Sequence, residues 1–210
     1  MIDLRGRRAR GERLDYAALV PRAGFDVAAA MEVVRPICAD VAERGTAALA
    51  HYSETFDHVV PEDFRVSPAA LAAAAEQLDP ELRAAFETAI ARRRRVSEAE
   101  LGEPVLDVDL APQARVSQRM IPVGRVGLYV PGGLAPLASS VIMNVVPAQV
   151  AGVASIALAT PPQLEFGGLP HPSILALCHL LGVEEVYAVG GARPSPCSRT
   201  GCRGSAHRCT

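Results

Sequence analysis

The segment VGRVGLYVPGGLAPLASSVIMNVVPAQVAGVASIALATPP, residues 123–162, decides the fold. It begins with Val126–Val130, an apolar run of strand length closed by the turn Pro131-Gly132-Gly133. Leu137 to Val150 is apolar over a helix length, and Gly152 stands where such a helix stops. Ser155–Thr160 is a second strand, ended by Pro161-Pro162. The unit then repeats. Pro172 opens a helix with Ile174, Leu177, Cys178 and Leu181 on one face, Gly182 stops it, and Glu185–Val189 is a third strand running into Gly190-Gly191. Strands alternating with helices predict an α/β fold with a parallel sheet, because parallel neighbours need a long crossover between them.

The residues before this segment read as helices. Asp26 is placed to cap a helix ending at Arg44, with Val27, Met31, Val34, Cys38 and Val41 as its apolar stripe and Pro36 as an expected kink. Gly45 ends it, and a short helix follows from Thr46 to Thr55. Ser67-Pro68 and Asp79-Pro80 are cap-then-proline starts for Ala69–Leu78 and Glu81–Glu100. The second of these helices carries Leu82, Phe86, Ile90 and Val96 on one side. The run Arg92–Arg95 reads as a solvated helix face rather than a nucleic-acid contact. From Pro104 the pattern turns extended, over Val105–Leu110 and Ala114–Ile121. Asp107 and Asp109 alternate there, as expected of an exposed strand face.

Composition bounds the function. Half of the 210 residues are apolar, 21% are charged, and the net charge is −2. A core can form, and there is no electrostatic case for nucleic acid or an anionic membrane. No apolar run approaches the ~20 residues of a membrane span, and Met1–Arg13 carries no apolar signal core, so the expectation is a cytoplasmic protein. All 21 basic residues are arginine. Of the five cysteines, Cys38 and Cys178 lie in apolar helices and read as buried reduced thiols. Cys197, Cys202 and Cys209 crowd the C-terminus.

In parallel sheets ligands bind beyond the carboxyl ends of the strands. Gly132-Gly133 and Gly190-Gly191 occupy those places, and glycine lets the backbone approach a ligand closely. Tyr129 stands just before the first turn, where a phenol can stack on or hydrogen-bond to a nucleotide. On spacing alone a structural turn is as good a reading, and neither a G-x-G-x-x-G nor a P-loop is present. His51, His58, His171 and His179 read as exposed or helix-start residues. No Ser/His/Asp or Cys/His nucleophilic set assembles from the residue pattern.

Longer stretches carry a resemblance. PVGRVGLYVPGG (122–133), SSVIMNVVPAQVAG (139–152), LATPPQ (158–163) and GGLPHPSILALCHLLGVEEVYAVGGA (167–192) resemble histidinol dehydrogenase, as do IDLRG (2–6) and FDVAAAMEVVRPICADVAERG (25–45). The likeness spans about Met1–Ala192. It implies an oxidoreductase that uses NAD and zinc to oxidise L-histidinol to L-histidine, the last step of histidine biosynthesis, as a homodimer. It divides the chain into a mainly helical segment, 1–103, and an incomplete Rossmann-like NAD-binding domain, 104–192. Tyr129 matches the family's NAD-contacting tyrosine. The next NAD contact of the family is a glutamine where this chain has Arg193. The zinc ligands, the Glu-His acid/base pair and the substrate contacts lie further on in the family and map to no residue here, so this chain is expected to be catalytically incomplete.

The departure at Arg193 is abrupt. Deleting one base from a codon string for the family's next helix, Q-A-I-A-M-L-A-Y-G, yields Arg193 through Gly201 residue for residue. Residues 193–210 therefore read as an out-of-frame, disordered tail, with Pro194, Pro196, Gly201 and Gly204 opposing a helix. The competing reading, a zinc site from Cys197, Cys202, His207 and Cys209, lacks a standard ligand spacing. A last strand and helix faces left without their covering partners are expected; the alternative to enzyme ancestry is a noncatalytic nucleotide-binding or interaction module.

Overall fold

The structure, a computed structural model, describes residues 27–132 and 136–191. Asp26, Gly133, the IDLRG stretch and everything from Ala192 onward, Arg193 and the terminal cysteines included, lie outside the described residues. The chain divides into two compact units, residues 1–35 and 36–210.

Helix α1, Val27–Arg44, continues through Pro36 as one element. Val41 is buried, while Val34 and Cys38 are half-buried and Val27 and Met31 exposed, so the apolar stripe is covered only towards its end. Gly45 adopts φ +59, and α2, Thr46–Asp57, follows at once. Helices α3, Pro68–Glu76, and α4, Pro80–Leu101, start as the cap-proline pairs dictate. The Ser67 hydroxyl accepts from Ala70 N–H at 3.2 Å, and Asp79 Oδ1 accepts from Glu81 and Leu82 N–H at 2.9 and 3.0 Å. These bonds satisfy first-turn donors that a helix leaves open.

The inward face of α4 departs from the sequence reading. Phe86 and Ile90 pack on the core, but Leu82 and Val96 are exposed. The face continues through Arg93 and Arg94, both half-buried, to buried Ser97. Only Arg92 and Arg95 of the arginine run are solvated. Arginine can follow this path because its stem lies along apolar surface while its head finds partners. Arg94 donates to Gln149 Oε1 at 2.8 Å, and Arg93 pairs with Glu100 at 3.2 Å.

Strands β1, Val105–Ala111, and β2, Ala114–Arg119, form an antiparallel hairpin exposed along its whole length. One face is apolar, with Val108 opposite Val116; on the other, Arg115 and Ser117 engage Asp109 and Asp107. The expected exposed role of these two carboxylates holds.

A three-stranded parallel sheet follows, of β3 (Arg125–Tyr129), β4 (Ser155–Thr160) and β5 (Glu185–Ala188), in the order β3-β4-β5. The crossovers are α5, Ala138–Val150, and α6, Pro172–Leu180. Left-handed glycines Gly152 (φ +82) and Gly182 (φ +69) follow these helices, where a side chain would be strained. A short 3₁₀ turn, Leu164–Phe166, lies between β4 and α6. This is the α/β architecture that the strand–helix alternation predicts.

The last strand is not left uncovered, contrary to expectation. Val66 N–H donates to the Val186 carbonyl at 2.9 Å, Ala188 N–H donates to the Phe64 carbonyl at 2.8 Å, and Arg65 bridges Tyr187 in antiparallel sense. The crossover helices α5 and α6 find partners on their inward faces, while Met143 of α5, Val27 and Met31 of α1 and Leu82 and Val96 of α4 stay exposed. Ile174, Leu175, Leu177 and Cys178 of α6 are all buried, in one core with Val66 and Leu71, the β4 residue Leu158, the β5 residues Val186 and Ala188, and the α5 residues Val141, Ile142, Val145 and Val146. Each large apolar side chain so buried contributes about 1.5–3 kcal/mol. Tyr187 and Val189 alternate with these β5 residues and meet Val41, Ala48 and Leu49 in a second cluster, so helices cover both faces of β5. The sequence pattern missed this because the covering residues come from the helical half, far away along the chain.

Candidate functional site

The strand register aligns three carboxyl ends. Tyr129 pairs with Ala159, and Thr160 pairs with Ala188. Tyr129 therefore stands beside the end of the central strand, and the Gly190-Gly191 turn leaves the third strand nearby. Tyr129 is 39% exposed. Its phenolic oxygen accepts a hydrogen bond from Gly191 N–H at 3.0 Å. The two turns that the sequence singled out are thus tied together across the strand ends. An oxygen that already accepts can still donate its own proton, so Tyr129 presents an O–H at the exposed rim.

Gly132 supplies close approach. A Cβ there would lie 3.1 Å from Thr160 Oγ1 and 3.5–3.6 Å from the Pro161 ring. Gln163 donates its amide N–H to the Gly132 carbonyl and so pins the turn to the loop after β4. Thr160 is fully buried, and its hydroxyl has no hydrogen-bond partner. The loop closes on itself through Gln163 N–H to the Leu169 carbonyl at 3.1 Å and Gly168 N–H to the Gln163 carbonyl at 3.0 Å. The sequence reading found Tyr129 and the glycines. It missed Thr160 and Gln163, for which the only signal was a polar residue at the end of an otherwise apolar strand.

The amino end of the sheet is also polar. Arg125 donates to Ser155 and to Glu185, each at 2.5 Å, and Tyr187 donates to Glu185 at 2.8 Å. Burial alone would raise the Glu185 carboxyl; the bonds from Arg125 and Tyr187 overcome it and hold the pKa below the ordinary value. Burial, then the bond to Glu185, pushes the Tyr187 phenol up to about 12. This network ties three strands together at the end opposite the glycine turns.

The remaining candidates separate widely. His51, His58 and His179 are exposed. His171 caps α6, its Nδ1 accepting from Ser173 N–H at 3.2 Å. Cys178 is a free thiol pushed up to about 12 by burial, so it is neither a nucleophile nor a ready metal ligand. Cys38 is half-buried rather than buried. Among the described residues no three His, Cys, Asp or Glu side chains gather in a way that could hold a metal ion, and no helix is long and apolar enough to cross a membrane.

The histidinol dehydrogenase family model matches residues 20–194. The chain belongs to this family. The histidinol dehydrogenase of Cutibacterium acnes is 65% identical over 192 residues, which cover 91% of this chain and 44% of that protein. The Bifidobacterium longum enzyme is 50% identical over 206 residues, covering 98% and 43%. A crystal structure of histidinol dehydrogenase from Elizabethkingia anophelis superposes with a TM-score of 0.78 at 28% identity, covering 88% of this chain and 41% of that one. The chain therefore spans less than half the length of the relatives it matches, and it corresponds to the amino-terminal portion of an oxidoreductase family of histidine biosynthesis.

Proposed function

We propose that this chain supplies the cofactor-binding front portion of an NAD-dependent enzyme that oxidises L-histidinol to L-histidine, with Tyr129 as a contact to NAD. The observation that carries the reading is the Tyr129–Gly191 hydrogen bond across the strand ends, which sets a phenol between two glycine turns. The residues present fit a dinucleotide. Gly191 leaves no side chain in its way, Tyr129 offers a ring face and an O–H, and α5 begins with no acidic residue in its first turn. When bound, NAD supplies the hydride acceptor. The work of this chain is to hold and orient it, with the ring of Tyr129 against the ligand and its oxygen fixed by Gly191.

Zinc does not fit the described residues, among which no three His, Cys, Asp or Glu side chains gather. Alcohol oxidation also needs a base for the hydroxyl proton. We assign both functions to the part of the family fold outside this chain. The reading carries with it a cytoplasmic enzyme that acts as a homodimer on L-histidinol, with residues 1–103 as its helical segment and 104–192 as the front of its NAD domain.

Calorimetric titration of the full chain with NAD tests the proposal. Saturable binding in the millimolar range or tighter is expected, weakened severalfold in Tyr129→Ala. Absence of binding, or equal binding by the variant, overturns the assignment. An assay with L-histidinol, NAD and zinc is expected to give no NADH; turnover by the chain alone refutes the division of labour.

A further inference from the structure

Thr160 ends the central strand of the sheet at its carboxyl side, in register with Ala188 of β5 and one residue beyond the partner of Tyr129. Its hydroxyl is fully buried and unpartnered. A buried hydroxyl without a partner is destabilising, and such a group in a native fold calls for an explanation. The Pro131-Gly132 turn lies over it, and the α-carbon of Gly132 carries only hydrogens where a Cβ would come to 3.1 Å of the oxygen. Gln163 donates a side-chain bond to the Gly132 carbonyl of this turn. Lifting of this turn would expose the hydroxyl at the carboxyl end of the central strand. Beyond it the helix α5 begins without a side-chain cap and without an acidic residue in its first turn, so its end favours an anion.

We propose that Thr160 is a positioning residue whose hydroxyl donates to a pyrophosphate oxygen of the bound dinucleotide. The inference rests on the NAD reading above and deepens it. Threonine suits the role because its hydroxyl is held by a β-branched side chain with few rotamers, within a strand. A charged acceptor makes the bond stronger than a neutral one, which compensates for keeping the donor unsatisfied in the free protein.

The test compares Thr160→Val, which keeps the shape and removes the hydroxyl, with Thr160→Ser, which keeps the hydroxyl. Each full-length variant is titrated with NAD, ADP-ribose and adenosine, and its melting temperature is recorded. Thr160→Val is expected to weaken NAD and ADP-ribose roughly tenfold or more, to leave adenosine unchanged, and to melt no lower than the parent. Thr160→Ser is expected to bind as the parent does. Equal binding of NAD by the parent and Thr160→Val overturns this inference while leaving the NAD reading intact. Absence of NAD binding by the parent overturns the NAD reading itself. Loss of adenosine affinity in parallel places the contact elsewhere than the phosphates and also overturns the inference. If Thr160→Val does not fold, Thr160→Ala against Thr160→Ser gives the same comparison.

Discussion

Gly167 and Gly168 are neighbours with positive φ, +62 and +89, yet alanine is expected to cost very different amounts at the two sites. At Gly167 a Cβ meets nothing within 4 Å, so only backbone conformation opposes the substitution. That term is about 1 kcal/mol for a left-handed residue. At Gly168 the same term applies, and the new Cβ would also lie 2.9 Å from Pro61 Cα and 3.3 Å from Pro61 N. These are backbone atoms of a rigid residue, so the loop must move. Overpacking of this kind adds about 1–3 kcal/mol, for a total of about 2–4 kcal/mol. At the roughly 2–4 °C per kcal/mol of a chain this size, Gly167→Ala lowers the melting temperature by about 3 °C. Gly168→Ala lowers it by about 6–12 °C. Differential scanning calorimetry on the two variants decides it. Equal shifts would refute the claim that contact with Pro61, rather than backbone conformation, fixes glycine at 168. The consequence reaches the site, because Gly168 donates to the Gln163 carbonyl and Gln163 holds the Gly132 turn.

Two further outcomes follow from side-chain placement. Arg94→Ala removes a half-buried bond to Gln149, whose own amide donates to the Leu181 carbonyl at 2.6 Å; the loss is expected to cost about 1–2 kcal/mol, against no measurable change for exposed Arg92→Ala, by urea denaturation. Asp40 is held at about 2 by its bonds from Arg44, below the ordinary 3.8. Because its folded pKa is depressed, its contribution is complete above pH 4 and disappears as pH falls towards 2; the stability gap between the parent and Asp40→Asn should close over that window, and a constant gap would contradict the assignment.

Local signals made most of the fold legible. Ser155–Thr160 was readable residue for residue, because an apolar run between a glycine turn and two prolines leaves little choice. The starts of α3 and α4 were equally clear from Ser67-Pro68 and Asp79-Pro80. What stayed hidden was contact between distant segments. Nothing in Phe64-Arg65-Val66 announces a partner for β5, and the inward path of Arg93 and Arg94 depends on where α5 places Gln149. At the site, Tyr129 and the glycines stood out as residue types in a pattern. Thr160 did not, since its isolation is a property of the packed structure and not of the strand that carries it.

The seal that Phe64–Val66 places on the outer edge of β5 has a directional consequence. Backbone bonding on that side is spent, whereas β3 pairs with β4 alone among the described strands. Any strand that enlarges this sheet must therefore dock along Arg125–Tyr129. Growth from that flank places the newcomer next to Tyr129, turning the rim on which the phenol stands into the floor of a cleft.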